Sequence, residues 1–172
     1  MSYEIERKFL VAGDSWREQC DAGEVMRQGY LAGGKQGSVR VRLSGTQAWL
    51  NIKGATVGAK RREFEYLIPV VDAEIILDEL CHGPLIEKTR FRLRHGDHTW
   101  EIDVFAGDND GLVVAEVELD AADEAVELPA WLGHEVTEEA RYYNVALVEH
   151  PFSQWNDSDR QRAGMTGNDR VT

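Results

Sequence analysis

The sequence predicts a mainly β protein of the α+β class: an eight-stranded antiparallel sheet closed into a barrel, with a charged interior and helices packed outside. Three observations carry this expectation. Short alternating runs fill most of the first 119 positions and are separated by turn residues. Charged residues, rather than neutral polar ones, occupy one face of run after run. A few segments with helical spacing remain to cover the other face, which is apolar.

The runs come in order. "EIERKFLV" is the first strand, and "GDSWREQCDAGE" reads as a short helix or irregular turn. "VMRQGYLA" and "SVRVRLS" form a hairpin across the Gly-rich "GGKQG". "QAWLNIKG" and "RREFEYLIP" follow, again joined through a loop containing Gly. In "DAEIILDELCH" the apolar residues Ile75, Ile76, Leu77 and Leu80 break the alternation, which predicts a helix over 72–82. "LIEKTRFRLRHGDHTWEIDVF" is a hairpin turning at "HGDH", and "GLVVAEVEL" is the last clear strand. Helices are expected at 120–132, ending near Pro129, and at 137–150, with Thr137 as N-cap and acids in the first turn. Residues 1–150 read as one domain; residues 151–172 hold few apolar side chains and read as a weakly ordered or loosely docked tail.

Parity exposes the unusual feature. One face carries Glu4, Glu6 and Lys8; Arg40 and Arg42; Asn51 and Lys53; Glu63 and Glu65; Lys88, Arg90, Arg92 and Arg94; Glu101 and Asp103; Glu116 and Glu118. A solvated outer face explains any one of these strands. It does not explain the set, because same-sign pairs along single strands repel unless an opposite charge or a ligand lies between them. Turning the charged face inward resolves this. Such a tunnel suits a polyphosphate: guanidinium forks bind phosphate oxygens, and clustered carboxylates hold hard divalent ions such as Mg²⁺ or Mn²⁺. Glu4 and Glu6 then hold a metal, and Lys8 reaches the phosphate that the metal touches.

Composition removes other classes. A formal net charge of −12 disfavours nucleic acid as a partner. No apolar run long enough for a transmembrane helix occurs, and no leader peptide is recognisable, so no membrane partner and a cytoplasmic location are expected. Cys20 and Cys81 read as ordinary thiols, and the five histidines fall in turns or at helix ends. No Walker-type loop or Ser/His/Asp set is present.

The ordered motifs "EIERKFLV", "QGYL", "VRVR", "LNIKG", "EFEY", "EKTRFRLR", "WEIDVF", "AEVEL" and "EARYYN" resemble the CYTH family, the triphosphate tunnel metalloenzymes, over about residues 3–147. The resemblance implies divalent-metal-dependent hydrolysis of a triphosphate-containing small molecule, inorganic triphosphate first. The alternatives are thiamine-triphosphate hydrolysis, cyclisation of ATP as in class IV-type adenylate cyclases, or non-catalytic polyphosphate binding. Carried over by position, Glu4, Glu6 and Glu118 resemble ligands of a first metal. Glu116, with Glu65 or Asp103, is similar to the group serving a second metal or the attacking water. Lys8, Arg40, Arg42, Lys53, Lys88, Arg90 and Arg92 resemble the phosphate-binding set, and Lys8, Glu116 and Glu118 the catalytic residues. Parity leaves open whether Glu63 or Glu65 reaches the site and whether Arg94 does. A homodimer is an expectation of the resemblance alone.

Overall fold

The computed structural model describes residues 3–57 and 59–164. Its strands are β1 (Tyr3–Val11), β2 (Glu24–Gly34), β3 (Gly37–Ser44), β4 (Gln47–Gly54), β5 (Lys60–Ile68), β6 (His82–His95), β7 (His98–Phe105), β8 (Val113–Glu118) and β9 (Leu132–Glu135). The helices are α1 (Val70–Glu79), α2 (Asn144–Glu149) and α3 (Asp157–Gly164). The sheet runs β5-β4-β3-β2-β6-β7-β8-β1, and β1 pairs back onto β5, so eight antiparallel strands close a barrel. Among the described residues no helix is long and apolar enough to cross a membrane.

Strand β1 carries the closure. One edge pairs with β8 from Glu6 to Leu10. The other is shared: Tyr3–Ile5 pair with β5, while Phe9 and Val11 pair with β9. Between these, the Lys8 amide donates to Thr137 Oγ1 at 3.0 Å, and the Val136 amide donates to the Lys8 carbonyl at 2.8 Å. The predicted hairpins are present. At "HGDH", Gly96 takes a φ of +60°, which the first position of a two-residue turn requires.

Two predicted helices are absent or shortened, and the edge of β1 explains both. Residues 120–131 form turns and extended chain rather than a helix. Trp131 packs edge-on to Trp100 at 5.8 Å, and its carbonyl accepts from the Ala12 amide. The chain then becomes β9, supplying backbone partners that β1 would otherwise lack. The expected helix over 137–150 is reduced to a 3₁₀ turn, Ala140–Tyr142, and the short α2. Thr137 caps no helix there because its hydroxyl serves the β1 seam. The helix expected over 72–82 is α1, and "DSWRE" contains a 3₁₀ turn, Ser15–Glu18, that buries Trp16.

Three apolar clusters surround the charge. One lies under α1, with Val41, Ala48, Ala73 and Leu77. A second covers the outer face of β1, β6, β7 and β8 with Phe9, Trp16, Trp100, Ile102, Val117 and Trp131. The third stoppers one end of the barrel: Leu10, Tyr30, Ile86, Phe105 and Val114 meet Tyr142 and Leu147. Residues 151–155 and α3 join this third cluster, because Phe152, Trp155 and Ala163 are buried in it. The stretch expected as a loosely docked tail is therefore packed as far as Gly164, and residues 165–172 lie outside the described residues. Trp155 stacks edge-on to both Tyr142 and Phe152 at 5.2 Å. Trp155→Ala is predicted to lower unfolding free energy by about 3–5 kcal/mol, the usual cost of emptying a buried aromatic site. Urea denaturation checks this; a loss below about 1 kcal/mol would mean the segment is not part of the cooperative core.

Candidate active site

Residues directly opposite each other in an antiparallel pair share a face. The register therefore assembles the site without further assumption. Glu6 faces Glu118 and Lys8 faces Glu116 across β1 and β8. Arg90 faces Asp103 and Arg92 faces Glu101 across β6 and β7. Arg40 faces Asn51, and Asn51 in turn faces Glu65. On this face lies a cavity of about 210 Å³ lined by seven cationic and seven acidic residues plus Asn144. A recess of about 40 Å³ continues past Lys8, Arg40, Lys53 and Arg61 towards Thr137 and Tyr143. A larger groove, about 560 Å³, lies outside the barrel between Trp16, Leu112, Phe152 and Ala163 and shares no residue with the charged cavity.

The charges pair in a continuous chain. Lys88 Nζ lies 2.6 Å from Asp103, and Arg90 clamps the same carboxylate at 2.7 and 2.8 Å. Arg90 also reaches Glu116 at 3.2 Å and Glu101 at 2.6 Å, and Lys8 meets Glu116 at 3.1 Å. Asn144, at the start of α2, accepts from Lys88 at 3.1 Å. On the opposite wall Lys53 donates to Glu4 at 2.9 Å and lies 3.4 Å from Glu63, and Arg42 meets Glu65 at 3.4 Å. Arg92 sits nearer the open mouth, 3.1 Å from Glu24 and 3.7 Å from Glu101.

The structure places each sequence-derived candidate. Glu4, Glu6, Glu65, Glu116, Glu118, Arg40, Arg42, Lys53, Lys88, Arg90 and Arg92 line the cavity, Lys8 lines its recess, and Asp103 is buried behind Lys88 and Arg90. Both Glu63 and Glu65 reach the cavity. Arg94 does not line it: it stands at the hairpin end and donates to the Asp97 carbonyl. Sequence reasoning missed Arg61 and Asn144. Arg61 shares the parity of Glu63 and Glu65, one step earlier on β5, so extending that alternation by two residues would have found it. Asn144 comes from a segment outside the sheet, where alternation gives no signal.

The electrostatics are uneven. Burial opposes ionisation of Glu4, but Lys53 and Arg61 outweigh it and bring its pKa down to about 2. Burial likewise opposes ionisation of Glu116, and Lys8, Arg90 and Lys88 hold it well below the usual carboxylate range. Glu6 is the opposite case: burial, with Glu116 and Glu4 close by, pushes it up to about 7. Glu118 is raised by burial and by Glu4, Glu63 and Glu101. Burial lowers Lys88 to about 8 despite Asp103.

The CYTH domain model matches residues 2–150. The chain belongs to the CYTH family. An inorganic triphosphatase of Acetivibrio thermocellus is 43% identical over 157 residues, spanning 91% of this chain and 100% of that protein. One from Nitrosomonas europaea is 38% identical over 153 residues, spanning 84% of this chain and 96% of that protein. A crystal structure of an inorganic triphosphatase aligns with a TM-score of 0.61 at 36% identity, covering 86% of this chain and 95% of that one. The strand parity that marks the CYTH resemblance in sequence is thus the parity that turns charge into the barrel.

The Glu6 environment gives a pH test. Its folded pKa, about 7, lies above an unfolded value near 4.5. The ligand-free native state therefore binds the extra proton, and that stability is full below about pH 4.5 and lost as pH rises through 7. The loss is about 2 kcal/mol after discounting for partial solvent access, or roughly 4–8 °C in Tm. Glu6→Gln cannot ionise, so its Tm advantage over wild type should grow between pH 5 and 8. A constant difference across that range would refute the assignment.

Proposed function

We propose that this chain hydrolyses inorganic triphosphate to pyrophosphate and phosphate, with Mg²⁺ or Mn²⁺ bound by its carboxylates. The observation that carries the reading is the cavity lining: fourteen charged side chains and one amide, all suited to phosphate oxygens or cations and none to a nucleobase or a thiamine ring. The inorganic triphosphatases that match nearly the full chain support it.

Whether the residues fit a divalent metal can be judged from their charge. Glu6 and Glu118 stand directly opposite one another, and burial together with neighbouring carboxylates raises both of their pKa values. Among the described residues no three carboxylate, His or Cys groups form a ready cage, because cations are interleaved between the acids. A site completed by substrate phosphates needs no such cage, and a few carboxylates suffice. Glu4, Glu6 and Glu118 would hold the first ion, and Glu116, with Glu65, a second. Bound there, metal would supply charge neutralisation on the phosphate and a more acidic water.

The protein's own part is positioning and neutralisation. Lys8, Arg40, Arg42, Lys53, Lys88, Arg90 and Arg92 spread over the phosphate oxygens. Asp103 holds Lys88 and Arg90 in place, and Glu116 holds Lys8 and Arg90. Water attacks the terminal phosphorus, the bridging P–O bond breaks, and pyrophosphate leaves. A neighbouring carboxylate takes the proton from that water.

A phosphate-release panel tests the reading, with triphosphate, pyrophosphate, thiamine triphosphate and ATP, with Mg²⁺ and with Mn²⁺, beside a cyclic-AMP assay. Triphosphate should show the highest kcat/KM, and a chelator should abolish turnover. A higher value for ATP or thiamine triphosphate, cyclic AMP as product, or binding without turnover would overturn it.

A further inference from the structure

Arg61 occupies a position that the proposed chemistry leaves unexplained. It lies directly opposite Glu4 in the three-residue β1–β5 seam. Its Nε donates to Glu4 at 2.9 Å and a terminal nitrogen donates to Glu6 at 3.4 Å, so one guanidinium bridges both carboxylates. It lines the main cavity and the recess, where its cationic neighbours are Lys8, Arg40 and Lys53. The side chain is largely buried, so this placement is not that of a solvated surface arginine.

We propose that Arg61 is an internal counter-cation that a divalent metal must displace from Glu4 and Glu6, so that metal and polyphosphate bind cooperatively. The inference rests on the reading of Glu4 and Glu6 as metal-holding groups. A guanidinium cannot shed its charge at any working pH, so it can leave the carboxylates but cannot be neutralised on them. Once displaced it remains tethered to β5 beside Lys53 and Arg40, which repel it. Metal arriving alone therefore leaves behind an unpartnered buried cation. A polyphosphate supplies the missing partner, because its oxygens face that same trio. Each ligand thus removes the obstacle to the other, and by linkage the effect is equal in both directions. In the ligand-free protein Lys53 and Arg61 together keep Glu4 ionised against burial, and the Arg61 bridge places a positive group between Glu4 and Glu6. One side chain thereby serves the empty fold and couples the two ligands.

The test is calorimetric and needs no turnover. Mn²⁺ is titrated into the protein alone, then in the presence of a non-hydrolysable imido analogue of triphosphate. In the wild type the analogue should tighten Mn²⁺ binding by about tenfold or more. Arg61→Gln should bind Mn²⁺ alone about three- to tenfold tighter than wild type, and the tightening due to the analogue should shrink by a similar factor. Arg61→Lys keeps the charge but cannot bridge two carboxylates, so it should shift in the same direction by less; it decides the matter if the Gln variant does not fold. Arg62→Gln is the control for net charge, since Arg62 points outward to the Tyr3 hydroxyl. Mn²⁺ binding no tighter in Arg61→Gln or Arg61→Lys than in wild type would overturn the proposal, as would equal tightening in Arg62→Gln. A wild type that binds no Mn²⁺ even with the analogue would overturn the functional reading itself, and this inference with it.

Discussion

The rest of the molecule depends on one constraint: more than a dozen charged side chains are held inside a single barrel, many of them largely withdrawn from solvent. Removing a charge from water costs several kcal/mol, and the cost is recovered only where an opposite charge sits at hydrogen-bond distance. The chain Lys88–Asp103–Arg90–Glu116–Lys8 meets that condition with separations of 2.6, 2.7, 3.2 and 3.1 Å. Such a network is weak evidence for stability, because apolar side chains of equal size would cost nothing to desolvate. The folding free energy must come from elsewhere, and the three apolar clusters outside and below the charges are the source. The network is better understood as a set of donors and acceptors kept in register by strands whose other face is packed.

Register is therefore the controlling variable. A one-residue slip would turn every inward charge to the outside. Strand β1 is the most exposed to that risk, because its second edge is divided between β5 and β9. The structure closes the gap with Thr137 and Val136 on Lys8 and with the Trp131 carbonyl on Ala12. Most of these contacts come from chain outside the regular strands, yet they fix the strand from which Glu4, Glu6 and Lys8 project. Residues 131–137 are part of the site in this indirect sense.

How much of this is legible in the sequence follows from the same physics. Alternation reports the face of a residue, so the barrel, its hairpins and nearly all the lining charges can be read directly. What alternation cannot report is who supplies partners from outside the sheet. Alternation gives no signal at Asn144 for that reason, although the motif "EARYYN" ends on it, and Thr137 reads as a helix cap because a threonine before two glutamates looks the same in either role. The Ala- and Glu-rich segment 120–132 has helical propensity, but Trp131 and the bare edge of β1 outweigh it. Arg61 is within reach of alternation and escapes it only when β5 is counted from its first glutamate. Arg94 has the right parity and the wrong height along the barrel, which alternation does not encode.

Height is the remaining coordinate, and β1 shows how the sequence sets it. Its inward positions are Glu4, Glu6, Lys8 and Leu10: two acids, a base, an apolar group. The facing strand β8 runs in the opposite sense and supplies Glu118, Glu116 and Val114 against the last three. Strands β6 and β7 repeat the order, with Arg92 against Glu101 near the mouth, Arg90 against Asp103 below, and Lys88 against Phe105 at the stopper. Each of these four strands thus passes from an open charged end, through a buried charged layer, into an apolar plug made with Tyr142, Leu147 and Trp155. The two acids and one base at the start of the chain are side by side because they mark successive levels of one axis. A polyanion entering from the mouth meets acids interleaved with cations first and the buried lysines last, and the apolar stopper gives those lysines a dry floor. The charges at that floor are the least screened by water, which is where a phosphate gains most from each contact.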